Sequence, residues 1–377
     1  MKKTLVTGAT GTLAPFLIHR FLHDPANETS FACLVRRADG PEVLRRRIEA
    51  LCPECAPLVA TSRFEFIAGD TAVSIPYDGP LESVWHFASD LRMDPDAADA
   101  VFAANLAGTA TVLDFCGRRD TPLYFLSTAY VCGTRTGSIR EDELLLGGGK
   151  EQGFRNAYEE SKARGEEKMQ RWMEQHPGIV FRPSIVIGDT GSGVSLSFQG
   201  LYRMIWCLWR IRDRLLHRGA SAEILPSLVL PLPVALPCSS TDTRLNVVGA
   251  DYVTTLLAEI SAKEDALGKT FHIVNPTPPT LQELLDVTVR LMGVKGIRLV
   301  ELNEAILERV DSELKRLNVW LGDQVMVYFP YLSGRNPLFA MDNVEALLGR
   351  IPEHAALDEG TLGRMYQYAL DRDFTAV

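Results

Sequence analysis

The stretch KTLVTGATGTLAPFLIHRFL (3–22) decides the fold. It opens with a short apolar run, KTLVT (3–7), that suits a strand. Over residues 12–22 the apolar side chains return at helical spacing. Gly8 and Gly11 fall in the turn between. A strand, a glycine turn and a helix in that order make a cradle for phosphate. Gly8 permits the tight turn and Gly11 lets the backbone approach a pyrophosphate. The helix N-terminus supplies amide donors and the positive end of its dipole. Ala14 stands at the third glycine position and still permits close helix–strand packing.

Working outward, the alternation continues. FACLVR (31–36), RFEFIAG (63–69), SVWHFA (83–88), PLYFLS (122–127) and GIVFRPSIVIG (178–188) read as strands. PEVLRRRIEAL (41–51), the run 99–116 and the segment around AYEESKARGEEK (157–168) read as helices. This predicts an α/β fold, a Rossmann-type doubly wound parallel sheet with right-handed crossovers. After residue 188 the pattern changes to a basic aromatic helix and a proline-rich stretch. RLNVV (244–248) and KTFHIVN (269–275) are strand-like, DYVTTLLAEI (251–260) is helical, and from residue 280 the chain reads as mostly helical. The expected organisation is a dinucleotide-binding domain of residues 1–188 plus about 246–275. Residues from about 189–245 and 276–377 would form a smaller, mostly helical substrate lobe.

Composition narrows the class. The 377 residues suffice for one large α/β domain with an insertion or for two domains. A net charge of −9 argues against a nucleic-acid partner. There are seven cysteines, and Cys52 and Cys55 form a single C-x-x-C with no second pair at zinc spacing. We read them as reduced, isolated thiols, with no metal site and a cytoplasmic location expected. The N-terminus reads as a first strand, not a signal peptide. LPSLVLPLPVALP (225–237) is interrupted by prolines and too short to span a bilayer, so no transmembrane helix is expected.

The end of the second strand bears on the cofactor. An NAD site there usually carries an acidic residue for the ribose hydroxyls. This chain has Arg36 and Arg37, with no acid until Asp39. Guanidinium groups suit a 2′-phosphate, which favours NADPH; the alternative is a pair of solvated charges. Asp70, after the third strand, is either a contact for the adenine amino group or a turn residue.

FLSTAYVCG (125–133) sets Ser127, Thr128 and Tyr130 at the end of the fifth strand, and Tyr158 and Lys162 lie one helical turn apart on the next long helix. Ligands of such sheets gather at the carboxyl ends of the strands. Hydride addition to a carbonyl creates an oxyanion that needs a hydrogen-bond donor and then a proton. A tyrosine supplies both, and a nearby ammonium is expected to lower its pKa.

Taken in order, TGATGTLA (7–14), the Asp70 turn, WHFAS (85–89), NLAGT (105–109), STAYVCG (127–133) and YEESK (158–162) resemble the extended short-chain dehydrogenase/reductase superfamily over most of the first 190 residues. The resemblance selects Thr128 over Ser127 as the hydroxyl. It implies catalytic roles for Thr128, Tyr158 and Lys162, with Asn105 similar to a structural and proton-relay asparagine. Expected cofactor contacts are Thr7, Gly8, Thr10, Gly11, Thr12, Leu13, Arg36, Arg37, Asp70, Ala88, Tyr158, Lys162, Pro183, Ser184 and Val186. CLVR (33–36), the threonine of STAYVCG and FRPSIVIGDTGSG (181–193) look closer to thioester reductases and fatty acyl-CoA reductases than to sugar-nucleotide enzymes. So do LNVVGADYV, FHIVNPTPPT and, more weakly, YFPYLSGRNPLFAMDN near the C-terminus.

This branch implies NADPH-dependent reduction of an acyl thioester on coenzyme A or a phosphopantetheine carrier protein, to an aldehyde or onward to an alcohol. The segment 200–219 carries Arg203, Arg210, Arg212, Arg214 and Arg218 beside Trp206 and Trp209. It suits carrier phosphates or an acidic carrier helix, a packed core helix with snorkelling arginines, or shallow contact with a membrane. Two rival readings stay open: an oxidoreductase or epimerase of a free ketone, alcohol or nucleotide sugar, and a non-catalytic dinucleotide binder.

Overall fold

The computed structural model describes residues 3–144, 153–216, 230–231, 235–301 and 327–377. The first half alternates β1 (Lys3–Thr7), α1 (Ala14–His23), β2 (Phe31–Val35), α2 (Gly40–Leu51), β3 (Phe64–Ala68), β4 (Leu81–His86), α3 (Ala98–Gly117) and β5 (Leu123–Leu126). Next come β6 (Ser138–Ile139), α4 (Ala157–Met173), β7 (Gly178–Pro183), β8 (Ile185–Ile187) and α5 (Leu201–Leu216). Then follow β9 (Leu230–Pro231), β10 (Ala235–Cys238), β11 (Val247–Gly249), α6 (Ala250–Ser261), β12 (Thr270–Ile273) and α7 (Leu281–Leu291).

Seven strands form one sheet in the order β12-β7-β5-β4-β1-β2-β3, every neighbouring pair parallel. The order reverses between β1 and β4, which opens the crevice where a doubly wound sheet takes its ligand. Successive strand residues serve opposite faces. Leu5, Ala32, Val84, Phe125 and Val180 pack with Val112 and Phe115 of α3 and Met169 of α4. Val6, Cys33, Trp85, Leu126 and Phe181 pack with Leu17 and Ile18 of α1 and Val253 and Leu256 of α6. Covering both faces is why FACLV is buried at all five positions and reads as a continuous apolar run rather than an alternating one. Each such side chain stabilises the fold by about 1.5–3 kcal/mol. The segment Pro95–Gly117 is long and apolar enough to cross a membrane by length and composition. Here it lies against the sheet and α4, with Val112 and Phe115 in the core.

The structure departs from the sequence reading at three places. The expected strand 178–188 is two strands: β7 stays in the sheet beside β12, while β8 pairs with β11. The change of partner occurs at Ser184, whose N–H donates to Ile273 O (3.3 Å) and whose Oγ donates to Asn246 Oδ1 (2.6 Å). Among the described residues of the C-terminal third, three short strands occur beside the expected helices. Val294–Lys295 pairs with β9, Arg298–Glu301 with β10 and Leu338–Phe339 with β6, strands too short to show a period of two. Cys52 and Cys55, read as isolated thiols, are joined in a disulfide. α2 ends at Leu51, capped by Cys52, and the turn that follows brings the two Cα atoms to 5.4 Å.

One buried charge pair ties α4 to the sheet. The Arg182 guanidinium of β7 donates to the Glu166 carboxylate through Nε (2.9 Å) and a terminal nitrogen, and both side chains are wholly enclosed. His272 Nδ1 lies 2.7 Å from Ala340 O, so that nitrogen carries the proton and Nε2 accepts from Arg182 at 3.4 Å. Burial lowers the His272 pKa to about 3 and keeps the ring neutral beside the arginine. Glu166→Ala strands Arg182 without its counter-charge. It should lower the unfolding free energy by about 3–5 kcal/mol, read as a lower urea midpoint at unchanged slope.

Candidate active site

The cradle is built as its glycines require. Gly8 has φ +70°, and a Cβ there would sit 2.6 Å from the Ala88 amide nitrogen, so a side chain is excluded by backbone on the facing strand end. Thr7 Oγ1 bonds His86 Nδ1 (2.8 Å) and accepts from the Ala88 N–H (3.3 Å), joining the ends of β1 and β4. Burial holds His86 neutral, its pKa down to about 3. The Gly11 N–H donates to Gly8 O (2.7 Å), and the Arg47 guanidinium reaches Gly11 O from α2. Thr10, Thr12 and Leu13 are part-exposed along the loop, and α1 begins at Ala14 with Pro15 in its first turn. A loop pressed to the backbone at Gly8, ahead of a helix N-terminus and over the crevice between β1 and β4, fits a dinucleotide pyrophosphate.

The two arginines at the end of β2 part company. Arg37 folds back onto Asp39, donating through Nε (2.9 Å) and a terminal nitrogen (2.7 Å). Arg36 instead faces Asp70 at the end of β3, 3.9 Å away, with its side chain 78% exposed. Asp70 makes a turn of its own, Oδ1 accepting from the Ala72 N–H at 2.9 Å. Arg36 is therefore held only by a loose 3.9 Å contact with Asp70, while Arg37 is tied to Asp39 by two hydrogen bonds.

At the end of β5, Thr128 caps the short turn Ala129–Cys132, its Oγ1 accepting from the Tyr130 N–H (3.3 Å) and lying 3.4 Å from Pro183 O. α4 packs against that turn and along α3. Asn156 caps α4 through Oδ1, bonded to the Glu159 N–H at 3.0 Å. Lys162 is buried under the sheet edge, and its Nζ donates to Leu126 O at 2.7 Å. Burial lowers the Lys162 pKa to about 8, offset in part by Glu166. The Tyr158 phenol is part-exposed, and its pKa is raised, first by burial and then by the charge of Glu159. The expectation that Lys162 lowers the Tyr158 pKa is thus not met in the polypeptide alone. The ammonium is drawn to a strand carbonyl, and partial burial leaves the phenol holding its proton.

Asn105 is spent within the chain. Its Nδ2 donates to Asp90 O (3.1 Å) and Ser161 Oγ (2.9 Å), and its Oδ1 accepts from the Asp90 N–H (2.7 Å) and Ser89 Oγ (3.2 Å). As placed, it clamps the loop after β4 to the turn of α4 between Tyr158 and Lys162. Pro183 and Ser184 sit at the β7–β8 switch, with Ser184 buried and Val186 packed at the edge of the core.

Sequence reading missed a buried group next to Tyr158. Glu159 is enclosed with Arg155, Tyr331 and Asn156, and Tyr331 arrives from far along the chain. No local pattern marks Glu159 apart from the exposed Glu160, which pairs with Arg164 at 2.8 Å. In α5, Leu201, Tyr202, Ile205 and Trp209 enter a second core, while Arg203 and Arg210 flank the part-exposed Trp206 at 6.0 and 5.6 Å. Arg212 is buried against Trp209. Arg218 and the side chain of Arg214 lie outside the described residues.

Comparison with known proteins places this geometry. The family described as male sterility protein matches residues 6–75 and 78–227, more than half of the chain. Among curated relatives, the chain is 26% identical to the aldehyde reductase lnbA of Aspergillus flavus, over 77% of this chain and 28% of that protein. It is 24% identical to the non-canonical nonribosomal peptide synthetase hkm10 of Aspergillus hancockii, over 98% of this chain and 36% of that one. The chain therefore spans about a third of the length of these relatives. Among solved structures, the terminal R domain from the myxalamid PKS-NRPS biosynthetic pathway superposes with a TM-score of 0.77 at 22% identity, covering 100% of this chain and 92% of that one. The UDP-glucuronic acid 4-epimerase of Bacillus cereus superposes at 0.62 and 16% identity, over 97% and 96%. At these identities the superpositions speak for the fold. On the family match over more than half its length, the chain belongs to the male sterility protein family of extended short-chain dehydrogenases/reductases.

Proposed function

We propose that this oxidoreductase reduces an acyl thioester, held on a phosphopantetheine carrier protein or on coenzyme A, to an aldehyde with NADPH. The observation that carries the reading is the bond from Lys162 of α4 to the Leu126 carbonyl, two residues before Thr128 at the end of β5, with Tyr158 one helical turn before Lys162, in a chain of this family that also carries the Gly8 cradle. The relatives named above, an aldehyde reductase and a nonribosomal peptide synthetase, support thioester chemistry over sugar chemistry.

When bound, NADPH supplies the hydride that reduces the thioester carbon. The chain's own groups handle the oxygen. Thr128 Oγ1 and the Tyr158 phenol donate hydrogen bonds to the carbonyl oxygen as negative charge grows on it. Because burial keeps the phenol protonated, Tyr158 starts as a loaded donor and gives its proton to that oxygen. Lys162, an ammonium below about pH 8, would hold the nicotinamide ribose. The C–S bond then breaks as the hemithioacetal hydroxyl returns its proton to the Tyr158 phenolate, and the leaving thiolate takes a proton from water, releasing aldehyde and thiol. Arg36 supports the choice of NADPH, since its 3.9 Å contact with Asp70 is looser than the two hydrogen bonds that tie Arg37 to Asp39, and its exposed guanidinium can turn to a 2′-phosphate. Arg203, Arg210 and Trp206 on α5 suit an acidic carrier or its phosphate, and we assign acyl-chain binding to the lobe of residues 189–245 and 276–377.

The purified chain, given NADPH with a panel of acyl-coenzyme A and acyl-carrier thioesters, is expected to oxidise NADPH and release a trappable aldehyde. Turnover confined to ketones or nucleotide sugars would overturn the reading. Tyr158→Phe should lower kcat by about a hundredfold to ten-thousandfold while NADPH still binds. Arg36→Ala should weaken NADPH, and not NADH, by about tenfold to a hundredfold. A variant that keeps its full preference for the phosphorylated cofactor would show that Arg36 does not read the 2′-phosphate.

A further inference from the structure

The segment YFPYLS (328–333) lies far from every motif used above, yet Tyr331 reaches the first turn of α4. Its phenol donates to Glu159 Oε1 at 2.6 Å and accepts from Asn156 Nδ2 at 3.0 Å. Asn156 is the residue that caps α4, and Glu159 is the neighbour of Tyr158. The Glu159 side chain is wholly enclosed. Its carboxylate also accepts from the Arg155 N–H (2.9 Å) and lies 3.4 Å from the Arg155 guanidinium, itself 4% exposed. Arg155 in turn reaches Gly133 O, one residue past the turn that Thr128 caps. The same guanidinium lies over the rings of Tyr130 and Tyr331, which meet edge to face at 5.2 Å. One cluster therefore touches three pieces of chain: the turn after Thr128, the start of the helix bearing Tyr158, and the C-terminal segment.

We propose that Tyr331 is a positioning residue: through Glu159 and Asn156 it sets the first turn of α4, and through Arg155 and Tyr130 the turn after Thr128, so that the proton donor and the oxyanion hydroxyl are aligned by the C-terminal segment. The physical basis is that an enclosed carboxylate holds its place only while its donors do. Arg155 satisfies it from the preceding turn of the same chain segment. Tyr331 supplies the hydrogen bond that comes from outside, and so relates α4 to the rest of the molecule. A small displacement of either reacting group is enough to slow a positioned proton transfer.

The inference rests on the reading of Tyr158 as the donor, and the test separates the two. Tyr331→Phe keeps the ring, and with it the contacts to Arg155 and Tyr130, but removes the hydroxyl. Amide hydrogen exchange on the full chain, without substrate, should quicken in residues 129–133 and 156–162 and stay unchanged in the cradle, residues 8–20. With NADPH and octanoyl-coenzyme A or octanal, kcat should fall between about tenfold and a hundredfold. NADPH affinity should hold, and the solvent deuterium isotope effect on kcat should grow as proton transfer becomes more limiting. Glu159→Gln and the double variant complete a cycle: acting through one bond, the double loses no more than the worse single. Unchanged exchange in both segments, or independent additive losses in the cycle, would overturn the positioning role. Full activity in a parallel Tyr158→Phe sample would overturn the donor reading instead, leaving the exchange data to decide Tyr331.

Discussion

The proposed proton donor, Tyr158, depends on the register of α4, and that register is held by buried charge. Glu166 meets Arg182 of β7 with both side chains fully enclosed, one helical turn beyond Lys162. Lys162 meets the Leu126 carbonyl in the middle, and Glu159 meets Arg155 and Tyr331 at the start. Residues 159, 162 and 166 share one stripe, at spacings of three and four. A helix held at three points along one stripe cannot slide or turn without leaving a buried charge unpaired. The same stripe explains Gly165, where a Cβ would lie 3.1 Å from Thr109 Oγ1 and crowd α4 against α3.

The other half of the site is held by backbone contact rather than charge. Gly8 approaches the Ala88 amide too closely for any side chain, and Thr7 bridges the ends of β1 and β4 with its hydroxyl. The crevice that receives a dinucleotide is thus a consequence of strand order: β1 and β4 are neighbours whose chains leave in opposite directions. The cradle ends β1 and the Thr128 turn follows β5, with β4 between them in the sheet, so the site forms only when the sheet does.

The opening segment of α4 shows why charge in a sequence is ambiguous. AYEESKARGEEK alternates acids and bases in a way that suits a solvated helix face. Half of it is one: Glu160 pairs with Arg164 and Glu167 with Arg171 in exposed contacts worth about 0.3–0.5 kcal/mol each. The other half, Glu159, Lys162 and Glu166, is buried. Helical spacing predicts that Tyr158 and Lys162 share a face. It does not say which face, and it does not say that burial would raise the tyrosine's pKa.

The strand–helix alternation, the glycine turn at Gly8, the extent of the sheet to β12 and the candidacy of Thr128, Tyr158 and Lys162 were all legible in the chain before folding. These depend on local periodicity and on motifs whose members lie within a few residues of one another. Folding in three dimensions was needed to show that Arg36 reaches Asp70 while Arg37 turns to Asp39, that Cys52 and Cys55 are joined, that Asn105 is spent on Ser161 and the loop after β4, and that Tyr331 reaches Glu159. Arg37 and the two cysteines have near neighbours in the chain, but their side-chain partners depend on how the turn closes. Tyr331 and Glu159 stand 172 positions apart. Nothing in the local pattern of either residue carries the packing that brings them together, because a buried hydrogen bond is selected by the folded surroundings and not by spacing along the chain.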